Sequence, residues 1–163
     1  MKQHDSSVAM PKKNLQGTLM FFASIVTGVF LLMLIAVFIN QAKGPLAPEL
    51  KKYHSGFIWG VAVLSFVCLF AAKRVFSKKV VDAKKSLNSL NDKLNQHRSA
   101  LIRYLVLCEV PAFVSILLFM FTGDFIFQVY AAIFLGFMLA VAPIRRRVVA
   151  DLELDGQQQK ELE

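Results

Sequence analysis

The hydrophobic positions of this chain are massed rather than scattered. Four apolar runs lie at Leu15 to Ile39 (25 residues), Gly56 to Ala72 (17), Leu101 to Phe121 (21) and Asp124 to Pro143 (20), and together they take up about half of the 163 residues. At 1.5 Å per residue, helices built on them reach roughly 25 to 38 Å, against a hydrocarbon layer of about 30 Å. Each is therefore long enough to cross a bilayer once. The first has length to spare for a tilt. The second is short, but gains Val75 and Phe76 if Lys73 and Arg74 carry their charges outward along the membrane surface. The intervening pieces hold 14, 16, 28, 2 and 20 residues. None approaches the size of an independently stable globular domain, which excludes a soluble catalytic domain.

Composition agrees with this pattern: 56% of residues are hydrophobic and the mean hydropathy is +0.52. The expected fold class is an all-α membrane protein, with four transmembrane helices arranged as two antiparallel hairpins. Its parts are an N-terminal tail over residues 1–14, a first hairpin over 15–72, a basic helical connection over 73–100, a second hairpin over 101–143 and a C-terminal tail over 144–163. The start resembles a signal peptide in having Lys2, Lys12 and Lys13 ahead of an apolar stretch. That stretch is about twice the length of a signal-peptide core and lacks an Ala-x-Ala exit, so it reads as an uncleaved first span.

Positive charge sets the orientation. Lys and Arg number three in the N-terminal tail, three in the 40–55 loop, eight in the 73–100 connection, none in the Thr122-Gly123 turn and four after Pro143, with Arg103 just inside the third run. Alternate segments lie on opposite sides, so fifteen gather on one face and three on the other, which puts both termini in the cytoplasm. The net charge of +8 is then explained by topology and attraction to anionic lipid, and no nucleic-acid partner is expected. Tyr53 and Trp59 would mark the outer interface of the second span.

The connections carry further structure. Gly44, Pro45 and Pro48 break helix in the outer loop, which reads as a plain link. In the inner connection, Val80, Ala83, Leu87, Leu90, Leu94 and Leu101 recur at three- and four-residue spacings, then seven, on a Lys-rich background. This is a heptad-like stripe. One straight helix across all 28 residues would carry the chain about 40 Å from the membrane, so the segment either lies in the headgroup plane as a basic amphipathic helix or, the favoured reading, folds back around Ser86-Leu87-Asn88-Ser89 to make two stubs. The tail after Arg145, Arg146 and Arg147 turns acidic and reads as a solvated terminal helix.

Glu109 breaks the apolar pattern. It is the only carboxylate at depth, about eight residues or ~12 Å from the inner end of its span. An acid near a helix centre costs about 2.5 to 3.5 kcal/mol on insertion, so Glu109 is a candidate functional residue by default. Matching depths on the other spans picks out Ser24, Ser65 and Gly136. Together these form a candidate intramembrane polar site in which the serines would bond the carboxyl and Gly136 would allow close approach. The competing reading is purely structural, since Ser in a membrane helix often bonds its own preceding turn.

Other chemistry finds no support in the residues. Cys68 and Cys108 lie inside apolar runs as small hydrophobes, His4, His54 and His97 all lie outside them, and no phosphate loop, metal-ligand spacing or nucleophile with a base is present. No catalytic residue, metal or cofactor is expected.

From about Arg98 to the end, the stretch CEVPAFVSILLFMFTGDFIFQVYAAIFLGFMLAVAPIRRRVVADLELDGQQQKELE resembles a group of small bacterial four-helix membrane proteins without an assigned activity. The matching features are Glu109, the Thr122-Gly123 turn, Pro143 with Arg145 to Arg147, and Asp151, Leu152 and Leu154, over about 40% of the chain. The resemblance implies the same topology in a bacterial inner membrane, and it singles out Glu109. The resulting expectation is a non-enzymatic structural or accessory subunit, with the bilayer and a membrane-protein partner or second copy as its contacts. The alternative is a small oligomeric proton- or ion-coupled channel or transporter that uses Glu109.

Overall fold

The computed structural model describes residues 3–85 and 90–152, with side chains for 15–82, 92–144 and 146–152. Among the described residues the chain is helical, without strands. The elements are α1 (Gln3–Lys43), a 3₁₀ turn (Pro48–Tyr53), α2 (His54–Lys85), α3 (Leu90–Thr122), α4 (Phe125–Ala140) and α5 (Arg145–Leu152). Three helical segments are long and apolar enough to cross a membrane: Leu15–Lys43, Pro48–Asp82 and Asp92–Thr122.

The fourth apolar run yields less helix than its 20 residues suggest. α4 has 16 residues, about 24 Å. Pro143 lacks an amide hydrogen and disfavours helical geometry at Ala142 before it. The chain turns there, with the Ile144 amide bonding the Ala142 carbonyl at 2.8 Å. At the other end of the sequence, α1 begins at Gln3, so the N-terminal tail continues the first apolar helix.

The chain divides into two compact units. One comprises Met1–Ser24, Lys73–Tyr104 and Val141–Glu163; the other comprises Ile25–Ala72 and Leu105–Ala140. In the first, α2 and α3 pack side by side through Phe76, whose ring meets those of Tyr104 (5.7 Å) and His97 (6.0 Å) edge-on. Val80, Leu94 and Leu101 of the heptad-like stripe are buried. α2 reaches Lys85 and α3 starts at Leu90; the fold-back itself, at Ser86 to Ser89, lies outside the described residues. α5 does not behave as a solvated tail. Val148 and Leu152, one helical turn apart, pack with Leu94, Leu15 and Val149 into a small apolar core.

In the second unit α3 is the most enclosed helix. About 44% of the residues in its most apolar stretch are buried, against 22% for α1 and 17% for α2. α4 buries Phe127, Ala131, Phe134 and Met138, a three- and four-residue spacing that defines one face. Its opposite face exposes Phe125, Val129, Ile133 and Leu139, so both faces of α4 are largely apolar, with the buried Gln128 as an exception.

The loop between α1 and α2 is more than a plain link, because it caps α3. A helix C-terminus leaves carbonyls without partners. Here Leu46 and Ala47 donate their amides to the carbonyls of Met120 and Phe121, each at 3.0 Å, and Asn40 Nδ2 donates to that of Phe119 at 2.7 Å. Two glycines in left-handed geometry make this approach feasible, Gly44 at φ 75° and Gly123 at φ 69°. A β-carbon on Gly123 would lie 3.2 Å from Pro45 Cβ and 3.3 Å from Asn40 Oδ1.

Candidate functional site

Glu109 sits on α3 half-buried, between buried Cys108 and exposed Val110. The residues matched to it by depth are otherwise engaged or open. Ser24 is exposed and donates to the Met20 carbonyl at 3.0 Å, one turn back on its own helix. The Ser65 hydroxyl is buried without a hydrogen-bond partner. Gly136 is exposed, and a β-carbon added there would meet nothing within 4 Å, so its lack of a side chain serves no close contact. Elsewhere the hydroxyls follow Ser24: Ser115 bonds the Pro111 carbonyl and Thr122 that of Leu118, each at 2.7 Å. Back-bonding of this kind satisfies a hydroxyl without any cross-helix partner.

Two polar clusters that sequence spacing did not indicate are assembled instead. In the first unit His97, almost fully buried, holds Asp151 of α5 with Nε2 to Oδ2 at 3.2 Å, and Arg147 Nε reaches the same carboxylate oxygen at 4.0 Å. Phe76 covers the imidazole edge-on. This polar contact adjoins the Leu94–Val148–Leu152 core and fixes α5 in direction as well as depth. In the same unit, Val75, Lys78, Lys79 and Asp82 of α2 and Arg103 of α3 line an open cleft of about 320 Å³.

The second cluster lies where α3 turns into α4. Asp124 Oδ1 accepts the Ile126 amide at 3.2 Å, an N-terminal cap on α4, and its other oxygen pairs with His54 Nδ1. The His54 ring meets Phe127 edge-on at 6.2 Å. Gln128, buried one turn further along, donates to the Met33 carbonyl of α1 at 3.2 Å. The Asp124 carboxylate thus accepts the cap bond and meets the His54 imidazole at the end of an apolar helix.

Among the described residues no three His, Cys, Asp or Glu side chains gather as a metal site requires. Cys68 and Cys108 are free and buried. No family model, curated protein or solved structure matches the chain.

Proposed function

We propose that the chain is a non-enzymatic integral protein of a bacterial cytoplasmic membrane, a structural or accessory subunit with four spans and both termini inside. The observation that carries this reading is an apolar stripe on α2: Trp59, Val63, Phe66, Val67 and Phe70, with Trp59 72% and Phe66 73% exposed. Spacings of four, three, one and three put these side chains on one helical face. Water around so large an apolar face would be strongly unfavourable, whereas lipid or an apolar partner helix covers it at no such cost. α4, apolar on both its buried and its exposed face, fits the same surroundings as a short fourth span, with local thinning of the bilayer making up its length.

Cysteine labelling tests the topology. Ser55→Cys is expected to react with a membrane-impermeant maleimide in intact cells, and Ser77→Cys only after lysis; the reverse pattern overturns the orientation. The accessory role requires a stoichiometric partner, or a second copy, that stays with the chain through mild-detergent extraction and gel filtration. A lone monomer under those conditions overturns that role and leaves the membrane assignment standing.

Glu109 supplies the third test. Replacement by Gln keeps the shape and hydrogen-bonding capacity but removes the titrating proton. In proteoliposomes, wild type and Glu109→Gln are expected to show the same background ion and proton leak, with unfolding free energies within about 0.5 kcal/mol of one another. A flux present in wild type and abolished by Glu109→Gln would replace the accessory reading with the transport reading.

A further inference from the structure

The cleft between α2 and α3 collects charge without neutralising it. Lys78, Lys79 and Asp82 come from one helix and Arg103 from the other, with Val75 as an apolar wall. None of the four charged side chains forms an ion pair or hydrogen bond with a described residue. Three cations drawn into one concavity repel each other and concentrate anions there.

The cleft's height narrows the choice of anion. Arg103 stands two residues inside the apolar run that begins at Leu101, while Lys78 and Lys79 stand six and seven residues beyond Ala72, where the second run ends. Phe76 meets Tyr104 at this level. The cleft therefore opens where apolar helix surface gives way to charged surface. In a bilayer that is the depth of the phosphates, and a basic pocket between helices on the cytoplasmic side is suited to a lipid headgroup.

We propose that this cleft binds the phosphate of an anionic phospholipid of the cytoplasmic leaflet. Arg103 grips it with its planar two-pronged guanidinium, and Lys78 and Lys79 act as point charges. Asp82 opposes the phosphate and limits affinity. The proposal rests on the membrane reading above, since it requires this end of the α2–α3 pair to lie at the inner surface.

The test uses the full chain in a neutral detergent, titrated with short-chain phosphatidylglycerol or phosphatidylcholine, with bound lipid counted by native mass spectrometry. Phosphatidylglycerol is expected to bind and phosphatidylcholine not to displace it. At about 1 kcal/mol per charge, Arg103→Gln should weaken binding about fivefold, and Lys78→Gln with Lys79→Gln about twenty-five-fold. Lys73→Gln with Arg74→Gln removes two exposed charges that do not line the cleft, and should change affinity less than about twofold. Asp82→Asn should strengthen binding about two- to fivefold, a gain that a misfolded variant could not give.

Equal losses from the cleft pair and the control pair would mean diffuse surface attraction and overturn the proposal. So would displacement of the lipid by millimolar inorganic phosphate, which would make the cleft a free-anion site. A chain that stays in the supernatant without detergent brings down the membrane reading. A membrane-bound chain that shows no preference for phosphatidylglycerol brings down the cleft proposal alone.

Discussion

Val148→Asp is expected to release α5 and expose the chain after Arg145 to Arg147 to trypsin. Val148 is fully buried in the core it forms with Leu94 and Leu152. A carboxylate there would be desolvated inside an apolar core. The segment would leave its site instead, so the loss is bounded by what docking contributes. Two buried aliphatic side chains at about 1.5 to 3 kcal/mol each give a loss of roughly 3 to 6 kcal/mol. When opening is fast relative to cleavage, proteolysis follows the open population, and cleavage should accelerate by about a hundredfold or more. Ala150→Asp adds the same charge on the exposed side of the same helix and should change the rate less than about twofold. Equal cleavage of Val148→Asp and wild type would show that α5 is not held by this core.

The contrast between α5 and the long helices explains what could be read from sequence. Apolar runs announce themselves by composition, and α1, α2 and α3 fall where Leu15 to Ile39, Gly56 to Ala72 and Leu101 to Phe121 predict long apolar helices. The stripe through Val80, Leu94 and Leu101 was equally legible, because one helical period exposes it. α5 was not. Its segment, Arg145–Leu152, is dominated by charge, and only the Val148/Leu152 spacing hints at a buried face. What buries them, Leu15 and Leu94, is remote in sequence, and so is His97, 54 residues from the Asp151 it holds.

The candidate polar site shows the same limit from the other side. Glu109 stood out because a lone carboxyl in an apolar run is conspicuous. Depth along the span points to Ser24, Ser65 and Gly136, but depth does not fix which way a helix turns its serines. Ser24 bonds Met20 on its own helix, the local alternative that every membrane-helix hydroxyl has within reach. The capping of α3 was hidden for a third reason: the residues that make it, Asn40 and Phe119, are 79 positions apart, and glycine and proline signal a turn without saying what the turn will touch.

That capping sets up the second large effect, Gly123→Val, which is expected to loosen the junction of α3 with the α1–α2 loop. At φ 69° an L side chain is strained by about 1 to 2 kcal/mol, and a β-branched one by more. The new β-carbon would also lie 3.2 Å from Pro45 Cβ, a ring that cannot swing away as a flexible chain end could. Relief requires the loop to retreat, which lengthens the Asn40 bond to the Phe119 carbonyl and the two amide bonds from Leu46 and Ala47. The Phe119 carbonyl keeps its bond from the Gly123 amide, while the Met120 and Phe121 carbonyls, if left unpaired in an apolar setting, add about 1 to 3 kcal/mol each. The combined loss should be about 3 to 5 kcal/mol, read as a shift in the midpoint of unfolding in detergent. Asn40→Ala removes one bond without backbone strain and should lose about 1 to 2 kcal/mol. Gly136→Ala, in open space on an exposed helical face, should fall within about 1 kcal/mol of wild type. The order Gly123→Val, Asn40→Ala, Gly136→Ala is what a glycine required by loop capping demands. Equal stability for Gly123→Val and Gly136→Ala would mean that the capping contributes nothing to holding this junction.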